Sequence, residues 1–144
     1  MKLPEPYTYF VDRSLGRHEL VDRLRGAGLS VEAHDDHFAP NTTDSEWLRA
    51  AGKNGWVVLT KDKAIRRNVL ERVALLDAQV ACFMLGRGDL SAGQMAEAFL
   101  VAVPRMQRVL RRYDLPLAAS VTEAGRVTVL LAEGAILEKP RHIK

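Results

Sequence analysis

The stretch WVVLTKD at residues 56–62 decides the fold. Its first four residues are apolar and rich in β-branched side chains, which is typical of a strand buried on both faces of a parallel sheet. The run ends in Thr60, Lys61 and Asp62. Because ligands bind outside the carboxyl ends of strands in open α/β sheets, Asp62 is a candidate site residue. A helix cap would explain the same position equally well unless other acids reach this edge.

Two further acids are expected at that edge. Residues 7–11 are aromatic and β-branched, and this predicted first strand ends at Asp12. Thr43 precedes Glu46 by three residues, a capping-box spacing that predicts a helix over residues 44–53 and puts Asp44 at its first position. Asp44 could serve only the helix dipole. If that helix starts near the carboxyl edge, however, Asp12, Asp44 and Asp62 converge.

The remaining pattern alternates between helices and strands. Apolar residues at helical spacing predict a helix between Asp12 and Gly28, and residues 30–34 predict a second strand joined by a right-handed crossover. Ile65, Val69, Leu70 and Val73 indicate a helix after Asp62. We expect a fourth buried strand at 79–85 and a long helix from Ser91 that Pro104 should kink or divide. Residues 117–121 and 126–131 predict a β-hairpin or an extension of the sheet edge, and residues 138–144 predict a frayed, exposed tail.

This alternation predicts an α/β fold with a central, mostly parallel sheet of about four strands. We expect one domain in a chain of 144 residues. Residues 1–112 form its α/β part, and residues 113–144 form a C-terminal hairpin extension and tail. The hairpin could cover the core or form a homodimer contact, and both remain open.

Composition and charge limit the possible partners, cofactors and cellular compartment of the protein. The net charge is +3, with basic clusters after Asp62 and in the long helix at Arg105, Arg108, Arg111 and Arg112. Such clusters suit an anionic partner such as nucleic acid, although solvated helix faces look similar. The single cysteine, Cys82, excludes a thiolate zinc cluster and suits a reducing compartment. With no predicted membrane span or signal peptide, we expect a cytoplasmic protein without a membrane partner.

Residues 34–37, HDDH, offer two imidazoles and two carboxylates within four positions. Such ligands can bind zinc or harder cations, but the spacing matches no strong zinc signature. An ordinary polar loop that adds at most one acid to a neighbouring site is the alternative.

Carboxylates gathered beside basic residues suit a divalent-cation site for phosphodiester cleavage. Asp and Glu oxygens are ligands that Mg²⁺ and Mn²⁺ prefer, and a bound metal lowers the pKa of its water. Lys and Arg would neutralise the flanking phosphates.

The segments FVDRSLG, TTDSEWL and VVLTKDKAIRR, in this order, resemble the PIN-like nucleases, in particular the compact group akin to VapC-type toxins of bacterial toxin–antitoxin systems. The resemblance spans about residues 8–100. It implies a three-layer α/β/α fold, Mg²⁺ or Mn²⁺ as cofactor, endoribonuclease activity on an RNA substrate, and often inhibition by an antitoxin protein.

The resemblance also assigns residues. Asp12, Asp44 and Asp62 match the acidic positions of the family and would be catalytic metal ligands. The inserted helical pair that supplies a further acid in many PIN domains is missing, so Asp36 is expected as an additional metal ligand ahead of Glu46. Phosphate contacts are expected from the basic residues beside these acids, namely Arg13, Lys61, Arg66 and Arg67.

Two other function classes use the same features. A PIN-like module without efficient chemistry would bind nucleic acid or protein, with salt-sensitive RNA binding and no turnover. A phospho-acceptor or small-molecule α/β protein also uses strand-end acids, but the basic cluster after Asp62 disfavours it.

Overall fold

In the computed structural model, residues 1–16, 18–61, 68–86 and 89–144 are described, and they form one mixed sheet with helices on both faces. The strands are β1 (Thr8–Val11), β2 (Ser30–Ala33), β3 (Val57–Lys61), β4 (Ala81–Leu85), β5 (Leu117–Val121), β6 (Val127–Ala132) and β7 (Ala135–Ile143). The helices are α1 (Glu19–Gly26), α2 (Asp44–Asn54), α3 (Val69–Ala78) and α4 (Ala92–Arg112).

The strand order is β2-β1-β3-β4-β5-β6-β7, with parallel pairing from β2 through β5 and antiparallel pairing beyond. After β1 the chain moves outward to β2 and then returns to the other side of β1 to form β3. The order therefore reverses between β1 and β3, and such a switch point opens a crevice at the carboxyl edge. The predicted α/β fold with a mostly parallel sheet is confirmed.

Two apolar cores separate the layers. On one face, α1 and α4 cover strand residues such as Tyr9, Val11 and Leu59. On the other face, α2 and α3 cover Phe10 and Val58. Because successive side chains of β1 and β3 point to opposite faces, both strands are apolar on both sides, as parallel strands between helices must be.

The C-terminal strands differ from the sequence prediction. The predicted hairpin exists, but β5 is also a fifth parallel strand, paired with β4. The expectation of a frayed tail at 138–144 is wrong, because these residues form most of β7 and pair with β6. The turn before it places Glu133 and Gly134 at positive φ, as a two-residue hairpin requires. The hairpin helps to cover the core through its buried Val127 and Val129.

The helices predicted after Asp62 and from Ser91 are both present, and each has one feature that the sequence pattern did not indicate. α4 is continuous from Ala92 to Arg112, so Pro104 does not divide it. The ring lies on the exposed side, where water can reach the carbonyl group that loses its helical partner. In α3, the apolar residues Val69, Leu70 and Val73 are exposed, and the helix packs through Leu75 and Ala78 instead. No helix in the described ranges combines the length and apolar composition that a bilayer span requires.

Candidate active site at the carboxyl edge of the sheet

Asp12 lies at the end of β1 and is almost fully buried, with 4% of its surface exposed. Its backbone N–H donates to the carbonyl oxygen of Leu59 at 3.1 Å, which fixes it against β3. Two hydroxyl groups donate to its carboxylate oxygen Oδ2: Ser14 Oγ at 2.7 Å and Thr60 Oγ1 at 2.6 Å. Charge-assisted hydrogen bonds of this length hold the carboxylate in one orientation at the switch-point crevice.

Ser14 joins the ends of β1 and β3. It lies in a 3-10 turn, Arg13–Leu15, and its oxygen accepts the backbone N–H of Lys61 at 3.3 Å. Its oxygen also lies 3.2 Å from Thr60 Oγ1. Sequence reasoning selected acids and cations and missed these two hydroxyls. The available signal was their place within or beside strand-end segments that already contained a candidate acid.

Asp44 begins α2, as predicted. Thr43 caps the helix by accepting the Glu46 backbone N–H at 3.3 Å. The Asp44 side chain turns toward the protein, because its Oδ1 accepts the indole N–H of Trp47 at 2.9 Å. Asp44 and Thr60 line one small cavity, and Thr60 binds Asp12. Asp44 and Asp12 are thus linked through a shared neighbour.

The same cavity has an acid from α3 on its wall. Glu71 lies in the first turn of that helix and lines the cavity together with Asp44 and Thr60. Asn68 caps this helix through the Glu71 backbone N–H at 3.2 Å. Sequence reasoning missed Glu71, since nothing in the local pattern indicates that the start of α3 faces the start of α2.

Asp36 is engaged elsewhere. Its carboxylate is 62% exposed and lies 3.8 Å from the guanidinium group of Arg25 in α1. The neighbouring Asp35 pairs instead with Arg13, with 3.2 Å between Asp35 Oδ1 and Arg13 Nε. Both acids lie in a short 3-10 helix, His34–Asp36, and their carboxylates diverge because each pairs with a different arginine.

The two histidines of the same loop also diverge. His34 is buried and packs against the rings of Phe10, Phe38 and Trp47. His37 Nε2 lies 2.8 Å from Glu32 Oε2. Within the described ranges, no group of three His, Cys, Asp or Glu side chains is arranged to hold a metal ion.

Basic side chains line a cleft beside Asp12. Arg13, Ser14 and Lys61 contribute to its wall, together with Glu19 and the first turn of α4, and its volume is about 440 Å³. Arg13 is held in place by Asp35 and by the carbonyl oxygen of Pro40, to which it donates at 3.3 Å. The predicted site residues Asp62, Arg66 and Arg67 lie outside the described residues.

Comparisons with known proteins identify the family of the chain. The family model described as "PIN like domain" matches residues 7–87, more than half of the chain. The curated protein "Putative ribonuclease VapC45" of Mycobacterium tuberculosis is 33% identical over 106 residues, which cover 71% of this chain and 77% of that protein. No solved structure matches significantly. With a family match that includes β1, the start of α2 and β3, the chain belongs to the family of PIN-like domains.

Proposed function

We propose that the chain is a metal-dependent endoribonuclease that cleaves RNA phosphodiester bonds in the cytoplasm as the toxin of a toxin–antitoxin pair. The observation that carries the proposal is the Asp12 carboxylate, buried at the switch-point crevice and held by Ser14 and Thr60. The name of the relative from M. tuberculosis, a ribonuclease, supports the same activity.

The donor set suits Mg²⁺ or Mn²⁺. Asp12, Asp44 and Asp62 would hold the ion, since carboxylate oxygens are the protein ligands that these ions prefer. When bound, the metal supplies an activated water and neutralises charge on the reacting phosphate. Glu71 lines the cavity of Asp44, so we place it ahead of Asp36 and Glu46 as the additional acid.

The protein's own residues orient the reaction. Ser14 and Thr60 fix Asp12, and their bonds to one oxygen keep that carboxylate from rotating. Arg13 and Lys61 line the adjacent cleft, where they can bind the phosphates that flank the scissile bond. Arg66 and Arg67 would extend this phosphate contact along the chain after Asp62.

Cleavage of a labelled RNA by purified protein with Mn²⁺ tests the proposal. We expect Asp12→Asn, Asp44→Asn and Asp62→Asn each to lower kcat by at least about 100-fold. Mutating a residue that only hydrogen-bonds to a metal ligand typically costs about 10- to 100-fold, and removing a ligand itself should cost more. The exposed Asp22→Asn on α1 is the matched control and should keep full activity. Undiminished cleavage by Asp12→Asn would refute the assignment.

The hydroxyl groups provide a finer test of the site. Thr60→Val should lower kcat by about 10-fold or more, whereas Thr60→Ser, which keeps the donor to Asp12, should retain most activity. Glu71→Gln and Asp36→Asn separate the two candidates for the additional acid, and we expect only Glu71→Gln to reduce cleavage.

The toxin role has its own test. Expression of the chain should arrest growth, and co-expression of a small protein encoded beside it should restore growth. Growth arrest by the Asp12→Asn variant as well would contradict a nuclease toxin.

A further inference from the structure

A cluster of arginines in α4 is not used by the proposed cleavage chemistry. The cluster contains Arg105, Arg108, Arg111 and Arg112. The structure separates its members, because Arg111 donates to Glu5 Oε1 through Nε at 3.1 Å and through Nη2 at 2.6 Å. Arg108 and Arg112 lie one helical turn apart, are exposed, and are directed toward the end of β7.

The two arginines and the end of β7 form a groove of about 340 Å³. We call it the α4–β7 groove, and it is lined by Arg108, Arg112, His142, Ile143 and Lys144. Three of these five side chains, those of Arg108, Arg112 and Lys144, are positively charged at neutral pH. Such a concentration of cations raises the local positive potential and attracts an anionic ligand.

Contacts within the protein hold these cations at the groove. The guanidinium group of Arg112 lies 5.4 Å from the centre of the Tyr113 ring, a cation–π distance. Thr128 Oγ1 lies 2.8 Å from His142 Nδ1, and Arg108 donates to the carbonyl oxygen of Lys144. Within the described residues, neither Arg108 nor Arg112 pairs with a carboxylate side chain. A guanidinium group has five N–H donors, so Arg108, which uses Nη1 to bind Lys144, can still donate to an external anion, as can Arg112.

α4 connects this groove to the candidate active site. Ala92 and Met95, in its first turn, line the cleft of Arg13 and Lys61. At 1.5 Å per residue, the helix places Arg108 about 20 Å further along its axis than Met95. A stacked strand that advances about 3.4 Å per nucleotide needs roughly six nucleotides to span that distance.

We propose that the α4–β7 groove binds the phosphate backbone of the RNA substrate at a distance from the bond that is cut. The inference rests on the proposed ribonuclease function for the identity of the polyanion. Arginine suits this role, since its planar guanidinium group can donate two parallel hydrogen bonds to one phosphate. Long RNAs would gain affinity from the groove, whereas short ones that reach only the acidic edge would not.

RNA binding without cleavage tests the groove. Fluorescence anisotropy is measured in EDTA over a range of salt concentrations, with labelled single-stranded RNAs of about 20 and about 4 nucleotides, the second too short to reach both sites. The test variant is Arg108→Gln/Arg112→Gln. The matched control is Arg49→Gln/Lys53→Gln, which removes two exposed cations at the same spacing from α2 in the opposite layer.

For the long RNA, the test variant should bind roughly tenfold more weakly near 0.1 M salt, with a salt slope shallower by about 1.4, since each lost phosphate contact removes about 0.7. Its affinity for the short RNA and both affinities of the control should match the wild type. Lys144→Gln, on the β7 wall, should reduce the slope by about 0.7. This second variant keeps the test decisive if the double variant folds poorly.

Equal slopes and affinities for wild type, double variant and Lys144→Gln would overturn the inference and leave an acidic protein segment as the occupant of the groove. Cleavage in Mn²⁺ is a separate readout. If the wild type binds long RNA through the groove but never cuts it, the proposed function fails while the phosphate groove stands.

Discussion

Thr60 and Ser14 illustrate how single hydroxyl groups complete a site that acids alone define. Both donate to Asp12 Oδ2, and they come from segments 46 residues apart that meet only because β1 and β3 are adjacent. A carboxylate as buried as Asp12 is costly without such donors. The orientation of this acid therefore depends on two residues that carry no charge.

Tyr9, a buried residue of β1, leads to a prediction about how stability depends on pH. Burial, with a smaller contribution from Tyr7, raises the pKa of the Tyr9 hydroxyl to about 12. The unfolded chain ionises its tyrosines near pH 10, so between pH 10 and 12 the unfolded state holds fewer protons than the folded state. The free energy of unfolding should then fall by about 2 to 3 kcal/mol across this range.

Urea unfolding at a series of pH values from 9 to 12 measures this fall, and Tyr9→Phe is the control. The hydroxyl has no hydrogen-bond partner among the described residues, so the substitution should change stability little at pH 7. Its alkaline loss should be smaller than that of the wild type by the predicted amount. Parallel curves for the two proteins would contradict the assignment.

At the scale of elements, α2 and α3 are held together at one glycine. A Cβ atom on Gly52 would lie 2.0 Å from the carbonyl oxygen of Ala78, a backbone atom that cannot move aside. By contrast, the nearest atoms to a Cβ on Gly93 in α4 belong to the guanidinium group of Arg23, the end of a flexible side chain, at 3.4 to 3.6 Å. Close packing of α2 and α3 therefore requires a glycine at Gly52, whereas the packing around Gly93 would accommodate an alanine.

Gly52→Ala should lower the free energy of unfolding by about 1 to 3 kcal/mol or more through overpacking between α2 and α3. Gly93→Ala should raise it by about 0.5 to 1 kcal/mol, because alanine favours a helix over glycine. Urea denaturation of both variants measures the difference. A loss of stability of similar size in both would show that helix–helix contact at Gly52 is not limiting.

The elements that local patterns specify were predicted from sequence. β3 and β4 are continuous apolar runs. Thr43 caps α2 as expected, and α4 follows Ser91, where a helix was predicted to start. β7 was missed because its residues are mostly exposed and include Pro140, so no apolar alternation marks the strand. Pairing with β6 stabilises it, and that contact is invisible in the segment itself.

The candidate site was also predicted only in part from the sequence. Strand ends and a helix start can be read locally, so Asp12, Asp44 and Asp62 were selected as acids of one edge. The participation of Glu71 depends on the approach of α3 to α2, and the divergence of Asp35 and Asp36 depends on where Arg13 and Arg25 lie. Both are tertiary facts that no local pattern carries. The assignments themselves remain predictions for mutagenesis.

Over the whole molecule, the reversal of strand order between β1 and β3 determines where the candidate site lies. Asp12 follows β1, and Thr60 and Lys61 end β3. A carboxylate, a hydroxyl group and an ammonium group therefore lie close together at the crevice between these strands. The family match over residues 7–87 covers this part of the sheet, whereas β5, β6 and β7 lie beyond it. The α4–β7 groove thus belongs to the part of the chain outside the family match.

Metal binding at the crevice should stabilise the entire fold. A ligand that binds only the folded state adds about 2.7 kcal/mol at 100 times its Kd, which for a domain of this size corresponds to a rise in Tm of roughly 10 °C. Thermal unfolding with and without Mn²⁺ measures the shift. Asp12→Asn should lose most of it and Asp22→Asn should keep it, and an equal shift in both variants would locate the ion elsewhere.

β7 also bears on solubility. It is the last strand of the sheet, and an outer strand with an open row of backbone groups can recruit a strand from another copy and start aggregation. Pro140 removes one N–H from this strand, and Lys139 and Arg141 place like charges on either side of it. Two such strands would repel each other on approach. Pro140 and the flanking charges of β7 therefore disfavour edge-to-edge association between copies of the protein.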